Sequence, residues 1–97
     1  MICEITYLPI REGKMTDFRK AWASSEKILA RQPGYLTHEV GAQLEMPHTV
    51  VLLIRWQSLE SHTKAFAQSV DFPVFLGHFS NLLDGPATVV HMQSFAT

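Results

Sequence analysis

From Ile2 to Leu8 the side chains alternate, with Ile2, Glu4, Thr6 and Leu8 on one side against Cys3, Ile5 and Tyr7 on the other. That period of two predicts a first strand, broken by Pro9 and Gly13. From Thr16 to Ala30 the period lengthens: Phe18, Trp22, Ser25 and Leu29 fall on one helical stripe, widened by Ala21 and Ile28. Asp17 near its start and Arg31 near its end suit the helix dipole, and Pro33-Gly34 stops it. A second strand spans Tyr35 to Ala42, with Leu36, His38 and Val40 alternating against Tyr35, Thr37 and Glu39. Gln43 to His48, containing Pro47, is a hairpin-sized connection to a third strand from Thr49 to Trp56. The third strand has no polar side chain from Val50 to Ile54, so both its faces are expected to be covered and it takes a central place. Ser58 is a suitable N-cap, with Glu60 in the first turn of a helix to about Ser69. Asp71-Phe72-Pro73 opens a short third helix to Leu83, and Asp84-Gly85-Pro86 ends it. The last strand, Ala87 to Phe95, sets Val89, His91 and Phe95 against Val90 and Met92.

The order β-α-β-β-α-(α)-β is the split βαβ, ferredoxin-like arrangement, an α+β fold with a four-stranded antiparallel sheet. Helices cover one face of such a sheet and leave the other bare. Apolar residues occur on both alternating faces of the first, second and last strands, and an apolar bare face wants a partner. The expected partner is a second copy, packed sheet to sheet. Composition points the same way. At 97 residues the chain is a single domain, 1–97, yet 46% of it is hydrophobic, 18% charged and 10% aromatic. So much apolar surface implies a greasy pocket, a buried subunit face, or both.

Charge removes several classes. The net charge is −1 and basic residues do not cluster, so neither nucleic acid nor an anionic membrane surface is an expected partner. The longest apolar run, Val50 to Ile54, is far too short to span a bilayer, and no basic region precedes a long apolar run at the start. The one cysteine, Cys3, excludes an intramolecular disulfide framework and reads as a small buried hydrophobe. A cytoplasmic location is expected. There is no glycine-rich phosphate loop, nucleophile elbow, H-E-x-x-H or C-x-x-C, which speaks against nucleotide-dependent chemistry and against a metal site.

Chemistry must then come from polar groups on apolar faces. His62 is the first choice: it shares a helical face with Leu59 and Phe66, just after Trp56 at the end of the third strand. An imidazole against an aromatic wall serves as a general base or orients an oxygen; the competing reading is a histidine bonded to backbone at the strand–helix corner. His78 shares the third helix face with Phe75 and Leu82, and reads as a pocket contact or as packing. His38 and His91 lie in register with apolar strand neighbours and suit the cavity or a subunit interface, whereas His48 beside Pro47 is expected in solvent. Tyr7 and Thr6 offer hydroxyls from opposite faces of the first strand; Phe66 and Trp22 would supply apolar walls, although Trp22, like Phe18, reads first as core.

The run R-W-Q-S-L-E-S-H from Arg55, followed by K-A-F and by F-P-V-F-L at 72–76, resembles the antibiotic biosynthesis monooxygenase family. The early E-G-K-M-T-D-F and the Q-P-G-Y-L turn resemble it too, and the likeness covers roughly residues 2–95. The resemblance implies a dimeric α+β barrel with a pocket between helices and sheet. It implies a cofactor-independent monooxygenase that oxidises a small aromatic or quinol-like compound with O₂, with Trp56 and His62 at the reacting centre. Tyr7, Thr6, Phe66, His78 and Trp22 would contact the substrate. Family members that degrade haem use an Asn, a Trp and a His; the matching positions here carry Thr6, Phe66 and, approximately, His78, so two of the three are replaced. Haem binding or degradation stands as an alternative, as does a non-catalytic dimeric binder of a hydrophobic metabolite.

Overall fold

The computed structural model describes residues 1–95. Its elements are β1 (Ile2–Pro9), α1 (Met15–Ala30), β2 (Tyr35–Ala42), β3 (Thr49–Trp56), a π-helical turn (Ser61–Phe66), α2 (Asp71–Gly77), a 3-10 turn (Ser80–Leu82) and β4 (Thr88–Gln93). The strands form one antiparallel sheet in the order β2-β3-β1-β4, so β1 and β3 are central and the predicted α+β arrangement is the observed one. The helices pack on one face. Phe18, Trp22 and Leu29 of α1 meet Val50, Leu52, Ile54 and Trp56 of β3 in a single core. Ser25, the polar residue in the α1 stripe, is wholly buried because its hydroxyl donates to the Phe75 carbonyl (2.7 Å), tying α1 to α2.

Three departures from the sequence pattern bear on the site. The helix expected from Ser58 is shorter and wider. Ser58 does cap it, accepting the Ser61 amide at 3.2 Å, but the Ala67 amide then bonds back five residues to the His62 carbonyl (3.0 Å). A wider turn shifts the phase, so His62 and Phe66 lie over the sheet while Leu59 is 40% exposed. Next, the third helix ends at Gly77 and resumes only as a 3-10 turn, which places Phe75 and Phe79 in the core and leaves His78 exposed. The periodicity that put His78 inward assumed an unbroken helix.

Finally, β2 carries a bulge between Tyr35 and Thr37. The extra residue, Leu36, brings Tyr35 and His38 onto the same, helix-covered face and turns Thr37 and Glu39 outward. The bare face of β2 is therefore polar. The apolar part of the open face comes from Ile5 and Tyr7 of β1, Val51 and Leu53 of β3, and Val90 and Met92 of β4.

The turn after α1 is seated directly on the π-helical turn. Gly34 has a φ of 83°, and a Cβ placed there would lie 2.2 Å from the Ser61 Oγ. Gly34→Ala is expected to destabilise the fold by about 2–4 kcal/mol, combining a left-handed backbone cost with overpacking. In urea titrations, adding Ser61→Gly should restore the steric part and leave only the backbone part.

Candidate active site

The site forms where β1, β3 and β4 pass beneath the π-helical turn. Register sets Glu4 of β1 between Ile54 of β3 and His91 of β4, all on the helix-covered face, with Thr6 one step along. Glu4 is only 5% exposed. A carboxyl group withdrawn from water costs several kcal/mol unless its oxygens are bonded. Here they are. The Thr6 hydroxyl donates to Oε2 at 2.5 Å, and the Trp56 indole N–H donates to Oε1 at 3.0 Å.

His62 comes down from the opposite side. Its ring stacks on Trp56, with centroids 5.5 Å apart and planes 13° from parallel. Its Nε2 lies 3.3 Å from Glu4 Oε1, and its Nδ1 lies 2.8 Å from His91 Nε2. A line of titratable groups therefore runs from buried Glu4, through His62, to His91 on the exposed edge strand. In the tautomer that keeps its proton on Nε2, toward the carboxyl, the basic lone pair of His62 is on Nδ1, facing His91. Burial holds the His62 imidazole below the ordinary histidine range, and His91 adds to this; the attraction of Glu4 opposes it. Near neutral pH His62 is an uncharged base.

Beside these groups lies a cavity of about 210 Å³. Glu4, Thr6 and His62 form its polar end. Phe66, Phe72, Phe75 and Phe79 form an aromatic wall against Leu8 and Leu52 of the sheet. A cavity of about 150 Å³ lined by apolar side chains holds a benzene ring, so this one has room for a ring and its substituents. A larger hollow of about 360 Å³ lies between α1 and the β2–β3 edge, lined by Phe18, Trp22 and Val40. Arg19 is its one charged side chain, and no acid–base pair faces it.

The sequence candidates divide accordingly. His62, Trp56, Thr6 and Phe66 come together, with Trp56 acting from behind His62. Tyr7 does not join them, because it lies on the open face beside Val51 and Thr88. Trp22 is core packing and lines the larger hollow, and exposed His78 touches neither. Glu4 was not among the candidates. Its signal was present, since it shares its strand face with Thr6 and Leu8, but the opposite face reads as fully apolar and invites the reverse assignment. His91, read as a cavity or interface residue, sits against His62 on the edge strand and does not itself line the cavity.

The residues do not fit a haem. The cavity is smaller than the roughly 300–1,000 Å³ of pockets that hold drug-sized ligands, His78 lies outside it, and both nitrogens of His62 are engaged. Among the described residues no group of three or more His, Cys, Asp or Glu is placed to hold a metal ion. Nor is any helix among them long and apolar enough to cross a membrane.

The family model for antibiotic biosynthesis monooxygenases matches residues 1–77. The chain belongs to that family. A Bacillus subtilis relative, the uncharacterized protein YczJ, is 30% identical over 93 residues, which is 96% of this chain and 98% of YczJ. The crystal structure of a family protein from Bordetella bronchiseptica superimposes with a TM-score of 0.91 at 25% identity, covering 96% of this chain and 95% of that one. A variant of SnoaB, a cofactor-independent oxygenase from Streptomyces nogalater, shares the fold at a TM-score of 0.80 and 16% identity, covering 99% and 94% of the two chains.

The lowered proton affinity of His62 has a sign that can be checked. Unfolding returns the imidazole to its ordinary pKa near 6.5, so below that the unfolded chain binds a proton that the folded one refuses. Stability is expected to be full above about pH 7 and to fall as the pH drops through the window below 6.5. Urea midpoints measured from pH 7.5 to 5 should show this slope, and His62→Gln should flatten it.

Proposed function

We propose that this chain is a cofactor-independent monooxygenase acting on a small phenol or hydroquinone. The observation that carries the reading is a half-buried imidazole, beside a buried carboxyl group, at the polar end of an aromatic-walled cavity. Family membership and the fold shared with SnoaB support it.

The chemistry asks little of the protein. A flat ring lies against the phenylalanine wall with its hydroxyl toward Thr6 and His62. His62 Nδ1, released from His91, accepts the hydroxyl proton, and the resulting phenolate is electron-rich enough to give an electron to O₂. Recombination at carbon forms a C–O bond. Loss of water then leaves a carbonyl: one oxygen atom stays on the ring, and the other departs with the two hydrogens removed from it. Glu4 stabilises the imidazolium formed in the first step, and the apolar walls keep bulk water from quenching the phenolate. Oxygen uptake with a panel of hydroquinones and anthrones tests this. His62→Ala should lower kcat by about 10²-fold or more, the usual contribution of a positioned base. Equal turnover in the two proteins would remove His62 from the role.

The working unit of this reading is a homodimer. Ile5, Tyr7, Val51 and Leu53 are only half covered, and Val90 and Met92 are 46% and 47% exposed, on a face that no helix among the described residues reaches. An apolar patch of this kind is an association surface, and a second copy brings a self-complementary one. Sedimentation at low micromolar concentration should give the mass of two chains, and Leu53→Lys should shift it toward one. A wild-type mass of one chain would overturn the dimer.

A further inference from the structure

Trp56 is wholly buried, stacked on the base and bonded to its carboxyl partner. If oxygen is activated beside it, as in the proposed function, it is the nearest oxidisable indole. A hole on Trp56 has three aromatic contacts open to it among the described residues: His62, Phe66 and Tyr35. Phe66 has no dissociable proton, and an imidazole is harder to oxidise than an indole. Tyr35 differs from both. Its ring meets Trp56 edge-on at 6.3 Å, and its hydroxyl is 2.5 Å from His38 Nδ1. The other nitrogen of His38 is 2.8 Å from Glu26, whose side chain is 46% exposed.

We propose that Trp56 and Tyr35, with His38 and Glu26 handling the proton, form an oxidation escape route that draws an electron hole away from the buried site. The step balances within the chain. One electron passes from Tyr35 to the Trp56 cation radical, and the Tyr35 hydroxyl proton passes to His38 Nδ1. The products are a neutral indole, a neutral phenoxyl radical and an imidazolium facing Glu26. A thiol or enediol reductant then returns one electron to the phenoxyl, and His38 returns the proton. Burial and the nearby Glu26 charge hold the Tyr35 hydroxyl above its ordinary pKa, so the phenol keeps its proton until it is oxidised.

Two features favour a relay over a fastening between α1 and β2. The β2 bulge is what turns Tyr35 and His38 to one side, and bulges commonly re-aim side chains next to active sites. In addition, Glu26 accepts from Trp22 Nε1 at 3.1 Å as well as facing His38, so the carboxylate that stabilises the imidazolium is held in place. The route needs oxygen chemistry at the cavity only as the source of the hole, and its own test uses neither substrate nor O₂.

The test is laser photoionisation of the tryptophans under argon, followed by transient absorption and freeze-quench electron paramagnetic resonance. In the wild type the indole radical should decay as a tyrosyl radical rises. Tyr35→Phe, which keeps the ring, should abolish that rise; Trp56→Phe should abolish the fast component, which identifies Trp56 and not Trp22 as the source. His38→Gln keeps both rings and should slow the transfer about tenfold or more, and it serves as the probe should Tyr35→Phe fold poorly. Indole decay unchanged by Tyr35→Phe or by His38→Gln would overturn the proposal, even if those variants melt at lower temperature as a fastening role predicts.

Discussion

A carboxyl group buried in an apolar sheet is the constraint from which the rest of the site follows. Glu4 sits on a central strand under the helices, where leaving one oxygen unbonded would cost several kcal/mol. Trp56 and Thr6 each donate a hydrogen bond to it, and His62 Nε2 lies beside it at 3.3 Å. Once Trp56 is fixed by that bond, its ring plane is fixed, and His62 stacks on the ring nearly in parallel. The acid–base line and the aromatic wall are thus one arrangement. Disturbing the carboxyl would move the imidazole.

The second level is the route by which the chain delivers His62 to this place. An ordinary helix beginning at Ser58 would keep Leu59 and His62 on a shared face. The π-helical turn changes that phase, exposing Leu59 and seating His62 and Phe66 on Trp56. Wide turns of this kind are uncommon and concentrate at functional sites. The close seat of Gly34 under Ser61 then holds the turn down from outside. Local backbone geometry that looks unfavourable in isolation is compensated by the packing it permits.

Much of the fold is legible along the chain because strong periodicities coincide with clear breaks. β2 and β3 occupy the residues their patterns predict, α1 begins one residue earlier than expected, and Ser58 caps where its side chain suggests. What is not legible depends on single-residue irregularities. The bulge at Leu36 reverses part of β2, the interrupted helix after Gly77 releases His78, and the π turn shifts Leu59 outward. Each is a change of phase, and alternation has no means of showing one. The site divides in the same way. His62, Trp56, Thr6 and Phe66 were readable because they are polar or aromatic in an apolar setting. Glu4 was not, because a charged residue on a strand ordinarily signals the solvent face, and only the bonding partners reached from β3 and the π turn reverse that rule.

The phenylalanine wall carries a consequence for recognition. Phe66, Phe72, Phe75 and Phe79 meet one another largely edge to face, with centroids 5.1 to 5.5 Å apart in three of the contacts. That is close to a herringbone, the packing of aromatic crystals, and all four rings face the cavity. A lattice of this kind gauges the thickness of what enters more strictly than its outline. A flat ring small enough for the cavity would extend the herringbone, whereas a saturated ring of the same area would have to pry it apart.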